Sequence, residues 1–365
     1  MPTERQRTEA PDLRDAGLAS IVPGLLAALL FGAAAPLCKI LLGDTAPLAL
    51  AALLYLGSGV GLTVYILVRR LTLGRRSDWI RLTGKDGLAL GGAVLSGGVL
   101  APMLFMIGLS SARASTASFL LNLELVFTAC LAWAFFHEGF EGRVAAGLAG
   151  VLGGCVVLGW PTGGLENLDL GALAVSGACL CWGLDNNLTQ RLAGQDALQI
   201  AAVKGGIGGG VNALLALAFS QTFPDGLPLL GALGIGLLCY GLSLVLFVVS
   251  LGRIGTARTG GVFAAAPFVG VGISVVALHE GVTTAFLFAA PLVIAGLIVA
   301  LGGRHSHWHS HPVLVHGHAH GHDDHHQHDH GEEVAKKSPH AHSHQHEPQA
   351  HGHAHYPDPH HRHRH

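Results

Sequence analysis

Charge is scarce in this chain. Lys, Arg, Asp and Glu together make up 12% of its 365 residues, about half of the ~25% usual in a soluble domain. Half of the residues are hydrophobic and 52 are glycine, which suits neither a disordered chain nor a disulfide scaffold. The six cysteines (Cys38, Cys130, Cys155, Cys179, Cys181, Cys239) fall inside apolar runs and form no CxxC pair. They read as small residues on lipid- or helix-facing surfaces and offer no disulfide framework. The phosphate loop of an ATP-driven pump is missing, as are an HExxH zinc motif and any nucleophile–base arrangement. An enzyme is not expected. Residues 1–16 mix Arg with Asp and Glu, and the apolar stretch behind them is too long for the core of a cleavable signal.

What the chain does have is length without polarity. From Gly17 to Gly303 it is a series of apolar runs of about 20 residues, each long enough to cross a hydrocarbon core of ~30 Å as a helix. In lipid every backbone polar group must be paired internally, so continuous runs of this kind imply helices. The expected fold is an all-α integral membrane protein with ten spans, near 18–42, 47–68, 87–109, 115–136, 143–160, 169–190, 197–219, 228–251, 257–278 and 283–303. Six basic residues lie in RRLTLGRRSDWIRLTGK between spans 2 and 3, with Arg5, Arg7, Arg14, Arg143, Arg191, Arg253 and Arg258 on the same side. The opposite side has Arg113 and little else. The positive-inside rule then places both termini in the cytoplasm of a cell (plasma or inner) membrane. Anionic lipid explains the basic loop, and nothing points to nucleic acid.

The two halves repeat. Phe31-Gly32 aligns with Trp182-Gly183, Gly43 with Gly194, and His137-Glu138-Gly139 with His279-Glu280-Gly281. Five spans per repeat force the halves into opposite orientations, a transporter signature that puts a substrate site where the halves meet. The HEG triplets stand in turns at helix ends, where glycine is a common stop. Glycine pairs four apart (Gly57/Gly61, Gly150/Gly154, Gly205/Gly209, Gly206/Gly210) suit close helix packing.

Residues 20–303 resemble the EamA-type members of the drug/metabolite transporter superfamily. GLLAALLFGAAAPLCKILLGD and ACLCWGLDNNLTQRLAGQD stand at the repeat starts, TASFLLNLELVFTACLAWAFFHEG and TGGVFAAAPFVGVGISVVALHEG near the repeat ends. The resemblance implies a ten-helix carrier of small solutes, often an exporter, with both termini inside. The chain departs from the family pattern at Leu125, where the second repeat keeps a mid-helix proline (Pro267), and in having a basic residue in the second helix of the second repeat alone, Lys204. The implied organisation is an N-terminal arm at 1–17, five-helix repeats at 18–160 and 169–303, and a tail at 304–365.

Ionisable groups within a bilayer cost at least ~2.5–3.5 kcal/mol each, which makes them functional candidates. Glu124 lies near the middle of span 4, out of reach of either interface. Asp185, Asn186 and Asn187 crowd the end of span 6, with Thr189 on the face of Asp185. Lys204 lies one or two turns inside span 7, and Lys39 near the end of span 1, where it can snorkel. Glu124, Asp185, Asn186 and Lys204 are the candidate substrate or coupling residues, with Glu124 exchanging a proton or binding a cation. A buried ion-pair cluster that only orients helices is the other reading.

Of the 25 histidines all but His137 and His279 follow Arg304. The densest stretch, HGHAHGHDDHHQHDH, holds His316, His318, His320, His322, His325, His326, His328 and His330. No apolar period runs through the tail, so it is expected to be disordered. Imidazole is a favoured transition-metal ligand, so the tail is expected to hold Zn, Ni, Co or Cu at many exchangeable sites. No resident cofactor is required. The expected function is secondary transport, with export of a small solute and a metal-binding tail. The alternatives are a divalent transition-metal efflux carrier and a non-transporting membrane metal store or sensor. Partners are the solute or metal ion, the lipid bilayer and at most a second copy in a homodimer.

Overall fold

The computed structural model describes residues 18–73, 84–136, 142–159, 169–192 and 195–301, and the backbone of four tail segments. The N-terminal arm and His137-Glu138-Gly139 lie outside the described residues. Among the described residues ten helices form the body: α1 Leu18–Leu41, α2 Pro47–Leu73, α3 Gly84–Ser111, α4 Ala114–Phe135, α5 Gly142–Gly159, α6 Leu170–Gln190, α7 Ala197–Ala218, α8 Gly226–Gly255, α9 Arg258–Ala277 and α10 Thr284–Leu301. Nine of these are long and apolar enough to cross a membrane. The remaining one, α6, has 21 residues and packs among them, but its last turns carry Asp185, Asn186, Asn187 and Thr189. The expected spans and observed helices agree to within a few residues at most ends. The body is thus an all-α membrane protein of two inverted five-helix repeats.

Irregularities repeat as well. In each repeat the third helix contains a π turn, Val94–Leu100 in α3 and Gly236–Leu242 in α8. The fourth helix of each is broken, at Leu121–Asn122 in α4 and at Ala264–Ala265 in α9. Gly255, at φ 78°, turns the chain between α8 and α9. None of these breaks interrupts its apolar run for more than a few residues, Ser96-Gly97-Gly98 in α3 and Asn122 in α4.

Helix pairing follows the same two-fold logic. The second helices of the repeats, α2 and α7, pack on each other, as do the fifth, α5 and α10. The first helix of each repeat lies against the fourth of the other, α1 on α9 and α6 on α4. Small residues make these approaches. A Cβ on Gly59 would meet Gly205 C at 2.7 Å, and one on Gly209 would meet Leu56 N at 2.7 Å. On the other pair, a Cβ on Gly147 would meet Gly296 O at 2.7 Å, and one on Gly154 Ala289 O at 2.8 Å. The packing role expected of Gly205/Gly209 and Gly150/Gly154 is present, whereas Gly206 and Gly210 face open space.

The tail forms its own unit, residues 304–365. Within it four segments have strand backbone: β1 His305–His311, β2 Leu314–His320, β3 His340–His346 and β4 Gln349–His355. β1 pairs with β4 and β2 with β3, both antiparallel. The period that encodes them is histidine at every second position, a polar alternation that an apolar search misses.

These contacts give a paired prediction. Gly59→Leu inserts a side chain between two backbones and should cost ~1–3 kcal/mol or more, seen as a lower thermal midpoint in detergent. Gly206→Ala, on the same interface but facing open space, should leave the midpoint unchanged or raise it.

Candidate transport site

The fold brings Asp185 and Lys204 together. Lys204 Nζ donates to both carboxylate oxygens of Asp185, at 2.6 and 2.5 Å, and Thr189 Oγ1 donates to Asp185 Oδ1 at 3.0 Å. Asp185 is only 4% exposed. Its carboxylate occupies the space over Gly97, in the π turn of α3, where any Cβ would collide with it. The carbonyls of that turn are used by other helices. Tyr55 Oη on α2 donates to Gly97 O at 2.8 Å, and Asn212 Nδ2 on α7 donates to Gly98 O at 3.0 Å. A π turn shifts backbone pairing by one residue, which frees such acceptors.

Glu124 belongs to a second cluster. It stands in the first turn after the break in α4, partly exposed, and accepts from Asn186 Nδ2 at 2.8 Å. Asn186 Nδ2 also reaches Thr128 Oγ1 at 3.2 Å, while Asn187 Nδ2 donates to Thr128 O at 2.9 Å and Gly183 O at 2.8 Å. The expected quartet is therefore two pairs, Asp185–Lys204 and Glu124–Asn186, served by adjacent residues of α6. Asn122 caps the break through Phe119 O at 2.7 Å and takes no part.

Between the pairs and the second repeat runs a chain of rings that the sequence reading did not find. Trp182 Nε1 donates to Tyr55 Oη at 3.2 Å and its ring lies 5.5 Å from Phe105. Tyr55 and Tyr240 are 6.0 Å apart, Phe31 lies 6.1 Å from Tyr240 and 5.2 Å from Phe263, and Phe263 is 4.9 Å from Phe247. The sequence signal was there in part, since Phe31 and Trp182 are the ring residues that precede the matching glycines Gly32 and Gly183.

Charged groups also tie the face opposite the ends of the bundle. Lys39 does not snorkel into open water. Its Nζ donates to Leu109 O at 2.7 Å, Ser110 O at 3.1 Å and Ala112 O at 2.7 Å, holding the last carbonyls of α3. Glu280, from the second HEG triplet, accepts from Ala114 N and Ser115 N at 2.8 Å each and so caps the start of α4 in the other repeat. Arg113 pairs with Glu280 at 3.8 Å and donates to Gly281 O. Burial alone would raise the Glu280 carboxyl, but hydrogen bonds from Ser115 and Ala114 with the Arg113 charge outweigh it and hold the group below its ordinary value. A cavity of about 20 Å³ lined by Arg113, Ser115, Thr283 and Phe286 remains there, room for about one water.

Of the histidines singled out, His316, His318 and His320 lie on β2, and His322, His325, His326, His328 and His330 lie outside the described residues. Among the described residues no three His, Cys, Asp or Glu groups converge on a common metal position.

Two outcomes follow from these contacts. Asp185→Ala strands Lys204 in a buried place and should cost ~3–5 kcal/mol, most of it recovered by Lys204→Met in the same chain; thermal unfolding of the single and double variants measures both. Because the Glu280 value is depressed, its cap is intact above the ordinary carboxylate range and is lost as pH falls through the lowered value. The protection of the Ala114 and Ser115 amides against exchange, taken relative to their intrinsic rates, should fall on that acidification, and Glu280→Gln should show the lower protection at neutral pH.

Residues 18–160 and 169–302 each match the EamA-like transporter family. An uncharacterized transporter of Methanothermobacter thermautotrophicus is 27% identical over 302 residues, covering 78% of this chain and 85% of that protein. A protein of known crystal structure shares the fold, with a TM-score of 0.58 and 20% identity over 77% of this chain and 98% of that one. Two matched repeats across the helical body mean that the chain belongs to the EamA-like transporter family.

Proposed function

We propose that this membrane transporter is a secondary carrier that exports a small organic solute across the cell membrane, with Glu124 as its coupling residue. The observation that carries the reading is the division of labour between the two carboxylates. Asp185 is neutralised by Lys204 at 2.5 Å, whereas the hydrogen bond to Glu124 comes from a neutral amide, at a helix break, in a partly exposed position. A carboxylate so placed can take up a proton or a cationic group and release it, which a fixed ion pair cannot do without breaking. The rings of Tyr55, Trp182, Tyr240 and Phe31 offer an apolar and cation-tolerant surface beside it. Buried oxygens of Asn187 and Asn212 have no hydrogen-bond partner among the described residues and can accept from a solute or a water. An amine or amino acid fits this chemistry.

The contacts of Lys39, Arg113 and Glu280 hold one face shut. With both termini in the cytoplasm that face is external, so the shut face suits a carrier loading from inside. The histidine tail binds Zn²⁺, Ni²⁺, Co²⁺ or Cu²⁺ and senses or buffers it. The second reading, efflux of such an ion through the body, is favoured by that tail.

Glu124→Gln should abolish transport while the protein still inserts; unchanged transport would remove Glu124 from the mechanism. Everted vesicles holding a pH gradient and challenged with a panel of amines and amino acids should lose the gradient with the wild type and keep it with Glu124→Gln. In metal-challenged cells, Glu124-dependent depletion of Ni, Co, Zn or Cu would instead make the metal the cargo. Residues 1–304 alone should transport with a weakened metal response.

A further inference from the structure

Helix geometry decides which way the open sides of Glu124 and Asn186 face. Successive residues turn ~100° about a helix axis. On α6 the exposed leucines Leu173, Leu180 and Leu184 stack on one side, the lipid side. Asn186 lies ~160° round from Leu184, yet it is exposed as well. Gln190, a turn further along the same face, is also exposed, and Trp182, a turn before, is half-buried. On α4 the exposed Trp133 lies ~180° round from Glu124. Thr128 follows Glu124 by one turn on the same face and, like it, is half-buried. The open polar groups of the two helices therefore look into the bundle and away from lipid.

The hydrogen bonds of this pair leave acceptors over. Asn186 spends Nδ2 on Glu124 Oε1 at 2.8 Å and on Thr128 Oγ1 at 3.2 Å. An ionised carboxylate only accepts, so the amide must turn its nitrogen towards Glu124. Glu124 Oε2 and Asn186 Oδ1 then stand as two neighbouring acceptors with no donor among the described residues. The local charge is a single negative one, because Lys204 cancels Asp185. A partner that balances this site carries one positive charge and at least two donors. A divalent ion is served less well, since no three His, Cys, Asp or Glu groups converge among the described residues.

We propose that Asn186 is the specificity-determining half of the cargo site, selecting primary and secondary ammonium ions over tertiary and quaternary ones. This rests on the reading of Glu124 as the carboxylate that takes up cargo, and it names the class of cargo. One N–H donates to Glu124 and a second to Asn186 Oδ1, while Trp182 brings an aromatic ring to the same face for the carbon body. A tertiary ion has a single N–H and leaves the Asn186 oxygen unmet; a quaternary ion leaves both acceptors unmet. A site built to hydrogen-bond its ligand rejects the analogue that lacks the donor. Rings and charge alone make no such choice, because cation–π attraction also holds a quaternary ammonium.

The test uses the full-length protein in detergent and isothermal titration at a pH where every probe is a cation. The probes are benzylamine and its N-methyl, N,N-dimethyl and N,N,N-trimethyl forms. The first two should bind alike. The N,N-dimethyl form should bind ~10-fold or more weaker, the cost of one hydrogen bond to a charged group, and the N,N,N-trimethyl form weaker again. Asn186→Leu should weaken benzylamine and N-methylbenzylamine by about that factor and leave the other two unchanged, so that selectivity flattens. Gln190→Leu, on the same face, should alter none of the four. Wild-type affinities that do not fall at the N,N-dimethyl form overturn the proposal while Glu124 keeps its place. So does an Asn186→Leu variant that weakens all four probes equally, that keeps the wild-type selectivity, or that behaves like Gln190→Leu. If benzylamine binds the wild type no better than it binds Glu124→Gln, the reading of Glu124 falls, and the proposal with it.

Discussion

A lysine and an aspartate can be kept inside a bilayer only if they meet, and the Asp185–Lys204 pair constrains much of what surrounds it. Their carboxylate–ammonium contact at 2.5 Å joins α6 to α7. For the carboxylate to lie there, α3 must present a surface with no side chain, which Gly97 supplies. The π turn that exposes Gly97 also exposes carbonyls, and these must find donors because lipid offers none. Tyr55 and Asn212 provide them, and Tyr55 in turn receives Trp182. One charged pair thereby fixes the approach of α2, α3, α6 and α7. The exacting local packing is a consequence of the cost of charge in hydrocarbon.

Glu124 is held more lightly. Its contact is with a neutral amide across α4 and α6, in the first turn of a helix segment. The break in α4 that creates this turn has a counterpart in α9, where Pro267 follows it in sequence. The repeats have kept the break and differ in how they make it: proline in one, a short turn closed by the Asn122 side chain in the other. This difference is what places a carboxylate in the first repeat where the second has Ala266.

Much of the body could be read from residues alone, since run length and the lack of charge decide helices in lipid. The repeat was legible in Phe31-Gly32 and Trp182-Gly183 because glycine at a helix crossing has few substitutes: a Cβ on Gly183 would meet Thr128 N at 2.9 Å. Asp185–Lys204 could be suspected from chemistry, but the separation of Glu124 from it could not. Residues 185, 186 and 187 are neighbours in sequence, and only the direction of each side chain around α6 sends one to α7 and the others to α4. The π turns and the ring chain were hidden for a similar reason, being made of ordinary apolar residues whose meaning depends on partners far along the chain. Lys39 showed the limit of position as a guide, because a lysine near a helix end can reach water or, as here, three carbonyls. In the tail the strands were encoded by a polar period, outside what apolar alternation can detect.

The glycine contacts between homologous helices have a mechanical side. Where α2 meets α7 and α5 meets α10, backbone lies against backbone at the glycines. An interdigitated seam resists sliding, since each knob must climb out of its hole before the helices can shift. A smooth one behaves as a bearing: it is held together by close dispersion contact, yet offers little friction to a small rotation of one half about the other. The same glycines that let the two repeats approach put the least side-chain bulk in the way of a small rotation of one half about the other.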